Sequence, residues 1–280
     1  MANDLRGQMD AYEFKDYILG LIFYRYLSEK VEYRAEKLLK DDNLTFSEAW
    51  KNEEYKEALS EYLVGELGYV IEPEYLFSNL VIEIEKGTKG NFDVELLQHG
   101  VKAIETSTLG ADSQEDFQNL FDDMDLSSSK LGRTVEARSK LIAKVILNIA
   151  EIPFLQDDVE IDVLGDAYEY MISQFAASAG KKAGEFYTPQ QVSKILAKIV
   201  TVGKKDLKSV YDPTCGSGSL LLRVGKEANV RKYYGQELTS TTYNLARMNM
   251  LLHDVSYQNF DIQNANTLKE PRHIDMRFEA

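Results

Sequence analysis

The chain has 280 residues, 44% of them hydrophobic and 28% charged, which is core material for two folded domains and too much for a disordered chain. No apolar run is long enough to span a bilayer, the first ten residues lack a basic-then-apolar leader, and the single cysteine, Cys215, excludes a disulfide framework. A cytoplasmic protein with no membrane partner is expected. The net charge of −14 is unevenly spread: residues 1–160 hold 33 acidic and 17 basic side chains, residues 161–280 hold 13 and 15. Two domains with different work fit that split, and the acidic one does not by itself attract a polyanion.

From Asp10 to Leu39 apolar and aromatic residues recur at helical spacing, among them Phe14, Tyr17, Ile18, Leu21, Ile22, Leu27 and Val31. Lys15, Asp16, Arg25, Glu29, Lys30 and Glu32 lie between them, so one long amphipathic helix is predicted. A second helix is expected over Thr45–Leu63, capped by Thr45 or Ser47 with Glu48 in its first turn. Shorter helices are expected around Pro73–Leu80, Phe92–Glu105 and Ser113–Phe121, and a stronger one over Val135–Ile152, ended by Pro153.

Near Val159 the pattern changes. A helix over Ile161–Ala177 leads into a glycine-bearing loop, Ala179–Pro189, then a helix over Gln190–Val200. Short β-type runs follow at Ser209–Asp212, Lys232–Gln236 and Tyr257–Ile262, separated by helices over Ser219–Ala228 and Thr239–Leu252. Arg277–Ala280 reads as the opening of a fourth strand. Strands alternating with helices at this spacing mean parallel βαβ units with right-handed crossovers. The expected fold class is α+α/β: a helical N-terminal domain over residues 1–158, then the first half of a doubly wound, Rossmann-like domain over 159–280.

The densest chemistry sits in Asp212-Pro-Thr-Cys-Gly-Ser-Gly-Ser219. Gly216 and Gly218 let the backbone turn tightly and approach a ligand, and the helix that begins at Ser219 presents free N–H groups and the positive end of its dipole. Asp212 ends a strand, where an open α/β sheet receives ligands. Glu237 ends the next strand, about 20 residues beyond the glycines, where an acid accepts hydrogen bonds from ribose hydroxyls; it could equally cap the following helix. Upstream, Gly184-Glu185-Phe186-Tyr187-Thr188-Pro189, with Lys181 and Lys182 nearby, looks like a lid over a small polar ligand, and Thr188 could also cap the next helix.

Together these runs make the sequence resemble the N6-adenine DNA methyltransferases, specifically the modification subunit of type I restriction-modification systems. In that family a Gly-x-aromatic-aromatic-Thr-Pro loop precedes Asp-Pro-x-Cys-Gly-Ser/Thr-Gly, and both embrace S-adenosylmethionine. Met9-Asp10-Ala11-Tyr12-Glu13-Phe14 to Gly20 is similar to the opening of the family's helical N-terminal domain. The resemblance implies a cofactor site of Glu185, Phe186, Tyr187, Thr188, Pro189, Asp212, Thr214, Gly216, Ser217, Gly218, Ser219, Glu237 and Asn266. In it Thr188 and its neighbours hold the methionine carboxylate, Asp212 and the glycine loop the amino-acid moiety, and Glu237 the ribose. It also implies a target adenine in DNA and three partner types: a specificity subunit, a second modification subunit and a nuclease subunit.

Two departures stand out. Where the family carries Gly-Asp-Thr-Leu, this chain has Ala265-Asn266-Thr267-Leu268, so an Asn oxygen is expected to accept the bond from the adenine amino group. The family's catalytic Asn-Pro-Pro-Tyr or Asn-Pro-Pro-Phe run is absent, since the prolines stand at 73, 153, 189, 213 and 271 and no two are adjacent. We therefore read the sequence as ending ahead of the residues that hold the flipped adenine, with no catalytic residue of its own and with the first strand's outer edge left open to association. The alternative reading is a non-catalytic assembly or regulatory module. An S-adenosylmethionine-dependent protein-glutamine or RNA methyltransferase shares parts of the site but not the helical N-terminal domain.

The remaining features take plainer readings. Tyr12, Tyr17, Tyr24 and Tyr26 are expected in the core, Asp112–Asp125 on a solvated face, Cys215 as an unreactive small residue, and Trp50 as a packing anchor. His99, His253 and His273 show no ligand spacing, so no metal site is expected, and surface or capping positions are assigned to them.

Overall fold

The computed structural model describes residues 11–86, 92–152, 161–178 and 188–280. The chain divides into two compact units, Met1–Gln156 and Asp157–Ala280.

The first unit is helical: α1 (Ala11–Leu39), α2 (Phe46–Ala49), α3 (Glu53–Leu67), α4 (Phe77–Lys86), α5 (Val94–Ser107), α6 (Gln114–Phe117) and α7 (Val135–Ala150). The single helix predicted over Thr45–Leu63 is two. Thr45 caps α2 in a capping box with Glu48, and Asn52 starts α3 by accepting from the Glu54 N–H. The predicted helix over Ser113–Phe121 contracts to α6, and that around Pro73–Leu80 becomes a 3₁₀ turn followed by α4.

Helix α1 departs most from expectation. It has no solvent face along its middle: every residue from Tyr17 to Ser28 is buried. Its polar side chains turn inward because the surrounding backbone supplies partners. Buried Arg25 donates to the Ile149 and Ile152 carbonyls at the end of α7, where a cation also meets the negative end of the helix dipole. Ser28 Oγ accepts from the Phe77 N–H at 2.6 Å, and Tyr69 Oη donates to the Leu27 carbonyl at 2.9 Å. Tyr17, Tyr24 and Tyr26 are core residues as expected. Gly100 on α5 makes room for Tyr24, whose hydroxyl would collide with a Cβ there. The acidic side chains of residues 112–125 face outward or are half-buried, over buried Phe117, Leu120, Phe121 and Met124.

The second unit holds α8 (Ile161–Ser178), α9 (Gln190–Val200), β1 (Asp206–Leu207), β2 (Val210–Asp212), α10 (Ser219–Glu227), β3 (Asn229–Val230), β4 (Tyr233–Glu237), α11 (Ser240–Leu252) and β5 (Phe260–Asn264). Strands β2, β4 and β5 form a parallel sheet in that order, with Asp212 opposite Gly235 and Glu237 opposite Asn264. An unpredicted short parallel pair, β1 with β3, sits apart from it. Gly235 lets the glycine loop lie on the sheet: a Cβ there would be 2.9 Å from Cys215 Sγ and 2.7 Å from Ile262 Cδ1.

The open edge expected on β2 is covered. The Tyr211 N–H donates to the Ala280 carbonyl at 3.0 Å, and the Glu279 N–H donates to Ser209 at 3.2 Å. Phe278 stacks on Tyr211 with ring centroids 4.7 Å apart. His273 is not a surface residue: it is buried against Tyr211 and Tyr234, two register partners on adjacent strands. No helix among the described residues is long and apolar enough to cross a membrane.

Candidate functional site

The C-terminal ends of β2, β4 and β5 bring most of the candidate residues together. Asp212 closes β2 and accepts from the Thr214 N–H at 2.9 Å, which starts the bend. The Cys215 N–H donates to the Gln236 carbonyl of β4 at 3.0 Å and the Gly218 N–H to the Cys215 carbonyl at 2.9 Å, so the bend is pinned to the neighbouring strand. Gly216 and Gly218 have φ of +55° and +77°, a conformation that favours glycine. Gly218 precedes α10 and offers no side-chain cap, so the first N–H groups of α10 lack one. Ser217 and Ser219 are buried, with their hydroxyls 2.9 Å apart, and buried Asn249 of α11 donates to the Ser217 carbonyl at 3.0 Å. The bend itself, Cys215–Ser219, is thus turned inward, while Thr214 is exposed and Asp212 and Glu237 are half-buried.

Of the two roles raised for it, Glu237 shows contact with the start of the following helix, and it reaches the glycine bend as well. Its Oε2 accepts from the Gly216 N–H at 3.2 Å and its Oε1 from the Thr239 N–H at 2.8 Å, so it ties the glycine bend to the start of α11. A carboxylate has about four acceptor positions, and donors among the described residues use two of them. Burial first, and the nearby Glu237 charge as well, push the Asp212 carboxyl above its ordinary range, against the lowering effect of the Thr214 N–H. Two acids held this way suit a ligand with a cationic centre and hydroxyls. Burial also pushes the Cys215 thiol well up, consistent with an unreactive side chain.

Asn266 follows β5 and is half-buried. Its Oδ1 accepts from the Leu268 N–H at 3.0 Å and the Lys269 N–H at 3.2 Å, so both lone pairs are committed to its own turn. Its neighbour Thr267 donates from Oγ1 to the Pro213 carbonyl and closes the β5 loop onto the β2 loop.

Gln236 was not singled out in the sequence, yet it organises these loops. It is fully buried, and its Nε2 donates to the Ala265 carbonyl at 3.2 Å and the Glu270 carbonyl at 2.9 Å. Its Oε1 accepts from the Arg272 N–H at 3.1 Å. A glutamine beside a candidate acid was the only sequence signal for it. Glu185, Phe186 and Tyr187, with Lys181 and Lys182, lie outside the described residues. Thr188 and Pro189 lie just before α9, where Pro189 is the cap residue and no side chain caps the helix, so Thr188 does not take that role.

A parallel sheet with a glycine bend after its first long strand and an acid ending the second is the ligand-binding end of a doubly wound α/β domain. Residues 159–280 match the family described as N-6 DNA Methylase, and residues 1–149 match the HsdM N-terminal domain. The chain is 42% identical over 282 aligned positions to the type I restriction enzyme MpnII methylase subunit of Mycoplasma pneumoniae, covering 96% of this chain and 51% of that protein. It is 25% identical to the MjaIX methylase subunit of Methanocaldococcus jannaschii, covering 100% of this chain and 48% of that one. Among solved structures, the type I restriction-modification methyltransferase subunit of Streptococcus thermophilus superposes with a TM-score of 0.85 at 39% identity, over 97% of this chain and 57% of that one. The chain belongs to the family of type I restriction-modification methylase subunits, and it spans about half the length of these relatives.

Proposed function

We propose that this chain is the assembly and cofactor-holding portion of a modification subunit that transfers a methyl group from S-adenosylmethionine to N6 of adenine in DNA. The observation that carries the reading is the convergence of Asp212, the Gly216–Gly218 bend and Glu237 at the ends of adjacent parallel strands. The half-buried Asp212 is placed to offset the positive charge of the methionyl moiety, the uncapped N–H groups of α10 suit its carboxylate or the ribose oxygens, and the remaining acceptor positions of Glu237 suit the ribose hydroxyls. Thr188, with Glu185, Phe186, Tyr187 and Pro189, would close over the methionyl end.

The committed Oδ1 changes the expected role of Asn266. With Oδ1 taken up by its own turn, the Nδ2 donors are what the amide would offer, so it would donate to a ring nitrogen of the cofactor adenine in place of accepting from the amino group. When bound, S-adenosylmethionine supplies the electrophilic methyl group. This chain's residues orient it, and no Asn-Pro-Pro-aromatic run to hold the target base occurs among the 280 residues. DNA, a specificity subunit, a second modification subunit and a nuclease subunit are the partners this reading assigns to the whole protein.

The test is titration of S-adenosylmethionine into the unaltered chain and into Asp212→Ala and Glu237→Ala. Each substitution is expected to weaken binding at least ~10-fold. Equal affinity in all three would remove the site. Stable folding with no binding by the unaltered chain would favour the assembly-module reading.

A further inference from the structure

Helix α8 carries Asp166 and Glu169 three residues apart and therefore on one face, and His253 is the residue that closes α11. One ring nitrogen of His253 and one carboxylate oxygen from each acid lie within 4.8 Å of one another. Three details set this apart from an ordinary acidic cluster. Glu169 is only 8% exposed, and its Oε1 is buried without a hydrogen-bond partner. His253 Nδ1 lies 3.0 Å from the Asn249 carbonyl. A carbonyl only accepts, so Nδ1 carries a proton and, in the neutral ring, the lone pair is on Nε2; Nε2 too is buried without a partner. The ring also sits against the one residue of that helical turn that has no side chain: a Cβ on Gly165 would be 2.6 Å from Nε2.

Buried electron-pair donors with nothing to bond are costly. A cation bound between them removes that cost. We propose that Asp166, Glu169 and His253 form a site for a divalent transition-metal ion, zinc by preference. One imidazole and two carboxylates with a water in the fourth position is a ligand set that zinc accepts, and a ring N–H held by a backbone carbonyl is the usual outer support of a histidine ligand. Bonds of ~2.0–2.1 Å place tetrahedral ligands ~3.3 Å apart, so the cluster has to contract, and the exposed Asp166 side chain would take up the movement by leaving its ion pair with Lys226. Lys226 Nζ pairs with Asp166 Oδ1 at 2.6 Å and is the competing cation. The ion would join α8 to the end of α11, the helix whose Asn249 also holds the Ser217 carbonyl of the glycine bend.

The test uses the tag-free, chelator-stripped 280-residue chain and zinc chloride in a calorimetric titration. One equivalent is expected to bind and to raise the melting temperature by mass action. Glu169→Gln and His253→Gln are each expected to weaken binding at least ~10-fold, and Lys226→Met to tighten it. Should a variant fail to fold, cobalt(II) added to the unaltered chain provides the second measurement: intense visible absorption of a four-coordinate ion, abolished by one equivalent of zinc. No saturable binding, undiminished binding in both ligand variants, or the weak spectrum of six-coordinate cobalt would each overturn the proposal.

Discussion

The Glu237 carboxylate bridges the Gly216 N–H at 3.2 Å and the Thr239 N–H at 2.8 Å, so one acid holds the glycine bend after β2 and the first turn of α11 in a fixed relation. Glu237→Ala removes both bonds and is expected to cost ~1–2 kcal/mol in urea unfolding, the scale of a lost helix cap plus one backbone partner. Glu237→Gln keeps one acceptor and should fall between the two. Should Glu237→Ala unfold at the same urea concentration as the unaltered chain, the bridge would carry no stability.

Asp212 yields a prediction of opposite sign. Its carboxyl is raised by burial and by Glu237, so between the ordinary and the raised value the folded chain holds a proton that the unfolded chain has lost. Stability therefore declines as pH climbs through that window, and the deficit is fully present above it. Asp212→Asn should flatten this slope and raise the melting temperature of the ligand-free chain at neutral pH by ~1–3 °C, while weakening S-adenosylmethionine. Melts across pH check it, and a lowered melting temperature at neutral pH would show that the carboxylate is stabilising after all.

This opposition explains what the sequence could and could not disclose. The placing of Asp212, Gly216, Gly218 and Glu237 at a bend and at the ends of adjacent strands was legible because a tight turn between a parallel strand and a helix needs those residue types at fixed local spacing. Arg25, Ser28 and Gln236 were not, because each owes its buried place to a backbone group far along the chain: Arg25 bonds to Ile149, Ser28 to Phe77 and Gln236 to Glu270. The same cause misread α1 as half-exposed. The cover on β2 by Glu279 and Ala280, and the meeting of His253 with α8, are likewise long-range pairings that periodicity does not encode.

Arg25 is the sharpest case in the helical unit. Its guanidinium satisfies the carbonyls that end α7 and lies 5.4 Å from the centroid of the Phe77 ring. Arg25→Met keeps the stem but removes its bonds to both carbonyls, of which Ile149's still accepts from the Ile152 N–H, and leaves Glu29 without its 2.6 Å partner. A loss of ~2–4 kcal/mol is expected by chemical denaturation. Amide exchange should show earlier opening at the end of α7, and unchanged exchange there would deny the capping role.

Gly235 tests the packing of bend on sheet. Its added Cβ would meet Cys215 Sγ at 2.9 Å and Ile262 Cδ1 at 2.7 Å. Gly235→Ala is expected to cost ~1–3 kcal/mol as an overpacked core position. Adding Cys215→Ala relieves only the sulfur contact, so the double variant should recover part of the loss and show a coupling of at least ~0.5 kcal/mol in a double-mutant cycle. Strict additivity would mean that the two residues do not press on each other.

Gln236 offers the strictest test because both faces of its amide are used. Gln236→Leu leaves the buried Ala265 carbonyl and the part-buried Glu270 carbonyl and Arg272 N–H without their partner, an expected loss of ~1–3 kcal/mol. Gln236→Glu has nearly the same shape, yet at neutral pH it points a charged oxygen at two carbonyls and should be the more damaging of the two. Its carboxyl would be raised in the folded state, so lowering pH should restore stability to Gln236→Glu and not to Gln236→Leu. Denaturation of both at neutral and mildly acidic pH reads the difference. Parallel pH behaviour would mean that Gln236 fills space and that its hydrogen bonds do not set the geometry of the three loops.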